Sequence, residues 1–487
     1  MTLRIDSAVL MFWITLASAR AVDLPPLPPV TANDRILVVA PHPDDEVLGA
    51  GGLIQQANVA GAPVHVVYLT NGDHNQIAFK LFRLRLHLRP SQYLAFGELR
   101  QKEALNATRM VGLSPDQLTF LGYPDYGTLR MWRDYWGEAA PFRSDSTQAS
   151  SVPYRSAFKF GHPYKPENIA ADMLEVFREF RPTKIFVTHP ADTNPDHRAA
   201  ANFVRLAVLE LGNEQPMPQI FYYVIHYGFW PRPYHYHPEV VLEPPRQLLD
   251  DGEWHDLWLT AEQTQVKYEA ILQNRTELTT SEYSLVSFAR TNELFATITS
   301  PIIPAVPTNN VIDWRKAIRK KVLTFAPQEQ PSESEAPQKE REPISVELQE
   351  TAFIRQGNDL VAEVTLRNRL GKRANVHLFL YAGSGENFAK RPKIHVNVTP
   401  LGAVHVFDDG KLLKSESISV ISVANRLIIR VPLRLLGEPP PEWVFTATRA
   451  NLRQVASDDA AWHLFWLSNR GRNAHNDTGQ NATNAKS

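Results

Sequence analysis

The 487 residues include no cysteine, which excludes disulfides and thiolate zinc sites and leaves histidine, aspartate and glutamate as the side chains able to hold a metal. An excess of either charge is missing as well. Lys and Arg number 51 against 52 Asp and Glu, for a formal net charge of -1; with no basic footprint, nucleic acid and acidic membrane surfaces are disfavoured as partners. Long apolar runs are also absent beyond the first residues, so nothing later in the chain reads as a membrane span.

The N-terminus carries the exception. Arg4 precedes the apolar residues 8–16, and the small residues Ala17, Ala19 and Ala21 follow, the pattern of an export signal cleaved after Ala19 or Ala21. The expectation is a signal peptide over 1–21, a secreted or periplasmic mature protein, and no stable membrane span once the signal is gone. Asp6 is unusual in such a signal, and retention as a short anchor is the alternative. A chain of this length exceeds one ordinary core, so at least two domains are expected.

What is present is a pair of polar knots, each at the end of a short apolar run. Residues 35–40 are apolar and β-branched, as in a strand buried on both faces of a parallel sheet, and they end in His42-Pro43-Asp44-Asp45-Glu46. A helix is expected over 48–60. The knot therefore lies at the carboxyl end of a strand, where open α/β sheets hold ligands. Acids at a helix N-terminus are favourable by themselves, but that explanation leaves His42, between two prolines, unaccounted for. Further strands are expected at 64–70, 118–121, 184–188 and 220–225, with helices at 93–111, 166–180 and 199–211. This alternation predicts a doubly wound, mainly parallel sheet. The strand at 184–188 ends in the second knot, His189-Pro190-Ala191-Asp192-Thr193-Asn194-Pro195-Asp196-His197. Residues 128–163, rich in Trp, Tyr, Arg, Ser and Pro, read as a long loop over the strand ends, either an ordered rim of a substrate groove or a surface excursion.

Residues 326–343 are Pro, Glu, Gln, Ser and Lys with almost no apolar side chains, which predicts a linker. Beyond it, short alternating runs at 360–366, 376–381 and 427–433 predict an all-β sandwich over 344–468. From 469 the chain is polar and is expected to be a disordered tail. The α/β domain is expected over 33–300.

Across the two knots, His42, Asp45 and His197 make a set of two imidazoles and one carboxylate, and three protein ligands with an open position suit catalytic zinc. The two knots together resemble the signatures of the LmbE-like or PIG-L family of N-acetylglucosaminyl de-N-acetylases: an HPDDE motif after the first strand and an HPDH-type motif after a later one. The resemblance covers roughly residues 34–295. It implies a Rossmann-like domain with one zinc per chain, held by His42, Asp45 and His197, with Asp44 as general base. Where the family most often has the first histidine of HPDH, this chain has Asn194, able to donate to an oxyanion but not to protonate an amine. His189 and His226, at strand ends, are the candidates for that proton, and Asp196 for orienting a neighbour. Arg100 resembles a family Arg-x-x-Glu segment that reaches substrate hydroxyls, the alternative being a solvated helical charge pair. Asp73 and Asp125 are candidates for sugar hydroxyls or for turn backbone; His235 and His237 read as loop residues. The implied function is removal of acetyl groups from N-acetylated sugars or glycans, the β domain supporting or targeting the enzyme. The alternatives are hydrolysis of another amide or ester, and a glycan-binding protein that has lost turnover.

Overall fold

The computed structural model describes residues 23–74, 88–322, 347–370, 374–385, 388–414, 418–452 and 455–468. The expected signal peptide, linker and tail lie outside these residues.

Apolar β-branched runs form the centre of the first sheet. Its strands are β1 (Ile36–Ala40), β2 (Val64–Thr70), β3 (Leu118–Tyr123), β4 (Lys184–Thr188), β5 (Gln219–Tyr223), β6 (Glu253–Trp258) and β7 (Asn292–Thr297), in the order β3-β2-β1-β4-β5-β7-β6. β1 to β5 pair in parallel; β7 runs antiparallel to β5 and to β6. The mainly parallel α/β sheet expected from the alternation is present. β6 and β7 were not anticipated, because residues 253–258 mix charges with tryptophan and lack the apolar run of a doubly buried strand.

Among the described residues five helices lie between the strands from β1 to β5, namely α1 (Asp45–Val59), α2 (Pro90–Met110), α3 (Thr128–Asp134), α4 (Pro166–Phe180) and α5 (Pro195–Leu211), and two more, α6 (Ala261–Ile271) and α7 (Arg275–Leu285), lie between β6 and β7. Chain reversal between β1 and β4 puts the ends of both, and so both knots, at one switch point. α5 starts four residues earlier than expected. Pro195 fits the first helical position, and Asn194 accepts a hydrogen bond from the Asp196 N–H at 2.8 Å as N-cap.

The β-rich C-terminal region consists of two mainly antiparallel sheets. One joins Ser419–Val423, Arg426–Pro432, Asp359–Leu366 and Leu348–Gln356, with Ala305–Val306 and Ile318–Lys321 also pairing to Leu348–Gln356. The other is built around Ala374–Gly383 and Trp443–Leu452. Phe353, Val364 and Ile429 of the first and Leu378, Val396 and Val406 of the second share one buried cluster. On its opposite face the second sheet turns Phe379, Tyr381 and Phe445 into the core of the α/β region.

That junction accounts for the aromatic content of residues 128–163. Trp132 and Trp136 are fully buried. The Trp132 ring lies 5.2 Å from Phe203 of α5, 5.2 Å from Phe445 and 5.7 Å from Trp462. The rim expected from these tryptophans is instead a core, since rings this large gain most where both faces are covered. Trp132→Ala is expected to cost about 3–5 kcal/mol, measured by denaturant unfolding.

Candidate metal centre

The first knot is held in a conformation the chain does not adopt freely. Asp44 has φ 132°, a region where a side chain costs about 1–3 kcal/mol. Its carbonyl accepts from the N–H groups of Val47 and Leu48, opening α1, and its own N–H donates to Glu46 at 3.0 Å. Arg100 of α2 completes the clamp. Its guanidinium donates to the carbonyls of Pro43 and Gly72 at 2.8 and 2.9 Å, and pairs with Asp44 at 3.2 Å and Glu277 at 3.0 Å. Gly72 has φ +63°, and a Cβ there would lie 2.0 Å from Arg100 Nη1.

Three candidate ligand atoms then converge. Asp45 Oδ2 is 3.2 Å from His42 Nδ1 and 3.2 Å from His197 Nε2, and the two nitrogens are 3.2 Å apart. A tetrahedral zinc with bonds of about 2.0 Å has ligand atoms about 3.3 Å apart, so this triangle has the dimensions of one face of such a site. The remaining nitrogens point at carboxylates: His42 Nε2 at Asp125 (3.2 Å) and Asp196 (3.4 Å), His197 Nδ1 at Asp192 (3.2 Å). Metal-bound histidines are oriented in this way. Burial works against charge on either ring, yet the facing carboxylates prevail. They hold His42 well above the usual imidazole range and push His197 up to about 9. Two buried imidazoles among four carboxylates form a donor set that calls for a cation.

His42, Asp125 and Asp196 form a second acidic group, but its anions are already engaged. Asp196 accepts from the N–H groups of Tyr126 and Thr128 and from the Thr128 hydroxyl. Asp125 accepts from the His74 N–H at 2.8 Å. Both therefore support His42.

Several expectations are corrected by this arrangement. Arg100 is neither solvated nor free for substrate: it is 4% exposed and its donors are committed to the loop carrying Asp44. Asp73 is buried and accepts from the Tyr154 hydroxyl, with burial and the nearby Asp125 charge raising its carboxyl to about 7. Asp125 serves His42 in place of a sugar hydroxyl. His189 stacks on Trp254 at 5.8 Å, accepts from the Ala191 N–H, and is pushed down to about 4, chiefly by burial; it contacts none of the three ligands. His226 does reach the centre, solvent-exposed with its ring 5.0 Å from His197. Asp192, which no sequence expectation singled out, also accepts from the N–H groups of Ile225 and His226 and so ties β5 to the second knot. Its position five residues before His197 was the available signal. Glu277 gave none, since only folding brings it to Arg100. Arg100→Ala is expected to cost about 3–5 kcal/mol by removing the buried cation that faces Asp44 and Glu277, read by denaturant unfolding; a residue serving only substrate would leave stability unchanged.

Known proteins share this part of the chain. 1D-myo-inositol 2-acetamido-2-deoxy-alpha-D-glucopyranoside deacetylase of Kineococcus radiotolerans is 32% identical over 182 residues, 37% of this chain and 46% of that protein. The corresponding deacetylase 1 of Saccharopolyspora erythraea is 32% identical over 173 residues, 34% and 51% of the two chains. The chain thus spans about half the length of these curated relatives. Among solved structures, the A40926 pseudoaglycone deacetylase Dbv21 aligns at 19% identity over 55% of this chain and 97% of its own, with a TM-score of 0.35. Residues 37–208, the segment that holds both knots, match the family described as PIG-L, GlcNAc-PI de-N-acetylase.

Proposed function

We propose that the protein is a zinc-dependent hydrolase that removes the acetyl group from N-acetylglucosamine-type sugars or glycans, with one zinc per chain. The triangle of His42, Asp45 and His197 beside the Asp44 carboxylate carries this reading. The names of the sequence relatives, deacetylases of an acetamido sugar, support the substrate class.

His42 Nδ1, Asp45 Oδ2 and His197 Nε2 would hold the ion. Zinc supplies, when bound, a Lewis acid that brings a water towards a neutral pKa and polarises the acetyl carbonyl. Asp44 does the proton work. Arg100 engages its Oδ2, so Oδ1 is the atom that accepts the proton of the attacking water and passes it to the departing amine nitrogen. Burial raises the Asp44 carboxyl well above its usual range against the pull of Arg100. The Asn194 Oδ1 is committed to capping α5, and its amide N–H is the group left to donate to a developing oxyanion.

The domain limits follow the same reading: a hydrolase domain over 33–300, a linker at 326–343 and a sandwich over 344–468. The sandwich supports the hydrolase through the Trp132 junction. No described helix is long and apolar enough to cross a membrane. Residues 1–21 are read as an export signal, a reading that favours envelope or environmental glycans as substrate.

Acetate release from a panel of N-acetylglucosamine glycans is expected from the zinc-loaded protein. Asp44→Asn should lower it by about 10²-fold or more at matched zinc content. Release by neither protein, with zinc and glycan still bound by both, would favour a glycan-binding protein on this scaffold. Asp192→Asn is expected to weaken zinc binding about 10–100-fold, read by competition with a chelator; unchanged affinity would remove Asp192 from the support of His197.

A further inference from the structure

The segment that leaves β5 next to the metal centre also builds a groove that the proposed chemistry does not use. His226, whose ring faces His197, is followed directly by Tyr227, Phe229, Trp230 and Arg232. These residues form one wall of a cavity of about 760 Å3, and residues 240–247 form the other. A volume of that size suits a ligand of several rings. The far wall is fixed at the working edge of the sheet: Leu242 exchanges hydrogen bonds with the Asn292 side chain, at 2.6 and 2.9 Å. Because β7 runs antiparallel to β5, its first residue, Asn292, lies at the same edge as the carboxyl ends of β1 and β4.

The groove is lined by flat apolar surface with polar margins. Phe229 is 75% exposed. It is nonetheless held in place. The Arg232 guanidinium sits 5.3 Å from the Phe229 ring centre and 4.7 Å from that of Tyr234, and its Nε donates to the Phe229 carbonyl. Trp230 is anchored by its Nε1–H to the Glu243 carbonyl at 2.8 Å. The exposed side chains of Arg232, Glu243 and Arg246 supply donors and an acceptor around these rings. Ring faces flanked by such groups match a pyranose, whose C–H face is apolar and whose edge carries hydroxyls.

We propose that this groove is a subsite for the sugar residues joined to the acetamido sugar at the metal centre, which makes the preferred substrate an oligosaccharide. This rests on the deacetylase reading above. A monosaccharide would occupy the metal centre alone and gain nothing from Phe229.

The test compares wild type, Phe229→Ala and Arg232→Ala on N-acetylglucosamine, its β-1,4-linked tetramer, and an alkyl glycoside of the monosaccharide. Binding of the tetramer to each protein is measured by calorimetry alongside acetate release. Both substitutions lie on the exposed surface, away from the three ligands and Asp44. The expected result is a loss of about tenfold in kcat/KM and in affinity on the tetramer, with the monosaccharide unchanged within about twofold. Equal loss on all three substrates, or no loss on the tetramer, overturns the proposal. Loss confined to the alkyl glycoside overturns it in favour of an apolar aglycone. If the wild type releases no acetate at all, the deacetylase reading fails, and tetramer binding that depends on Phe229 still decides whether the groove takes a glycan.

Discussion

One carboxylate oxygen, Asp45 Oδ2, stands 3.2 Å from an imidazole nitrogen of each knot, and the site depends on that convergence. Two buried imidazoles and several buried carboxylates in one place are costly unless each charge meets its opposite. The structure meets the cost by layering. Asp45 lies between the histidines, Asp125 and Asp196 stand behind one, and Asp192 stands behind the other. Every outer carboxylate is in turn satisfied by backbone N–H groups from a different strand end. The sheet's carboxyl edge is thereby stitched together around the place where a cation fits.

The same stitching connects the metal centre to the C-terminal sheets. Trp132 and Thr128 lie four residues apart on α3, so they share a face of that short helix. Trp132 is wedged between Phe203 of α5 and Phe445 of the second C-terminal sheet, and Thr128 binds the Asp196 carboxylate behind His42. Tyr381 also donates to the Arg133 carbonyl. The β-rich region therefore braces a helix whose first turn braces a histidine of the candidate site. This gives the C-terminal sheets a mechanical connection to the candidate site.

Much of the fold was legible because its signals are local. Uninterrupted β-branched runs marked β1, β2 and β4, whereas the start of α5 at Pro195 was read four residues too late. β6 and β7 escaped because their residues are chosen for neighbours distant in the chain: Asp256 accepts from Asn292, and Glu293 pairs with Lys267 under cover. The tryptophans of residues 128–163 were visible as aromatics, but composition does not say which way a ring faces.

By itself the sequence determined the candidate ligand set. His42 and Asp45 lie three residues apart on a strand-end turn, His197 lies at a second strand end, and no cysteine competes with them, so residue type and local spacing suffice. Only the tertiary structure decided what surrounds the set. Arg100 and Glu277 are 177 positions apart, and Thr128 and Asp196 are 68 apart; no periodicity carries such pairings. They arise because a parallel sheet gathers the ends of strands distant in sequence at one edge, where buried charge settles only into positions in which its partners are already held.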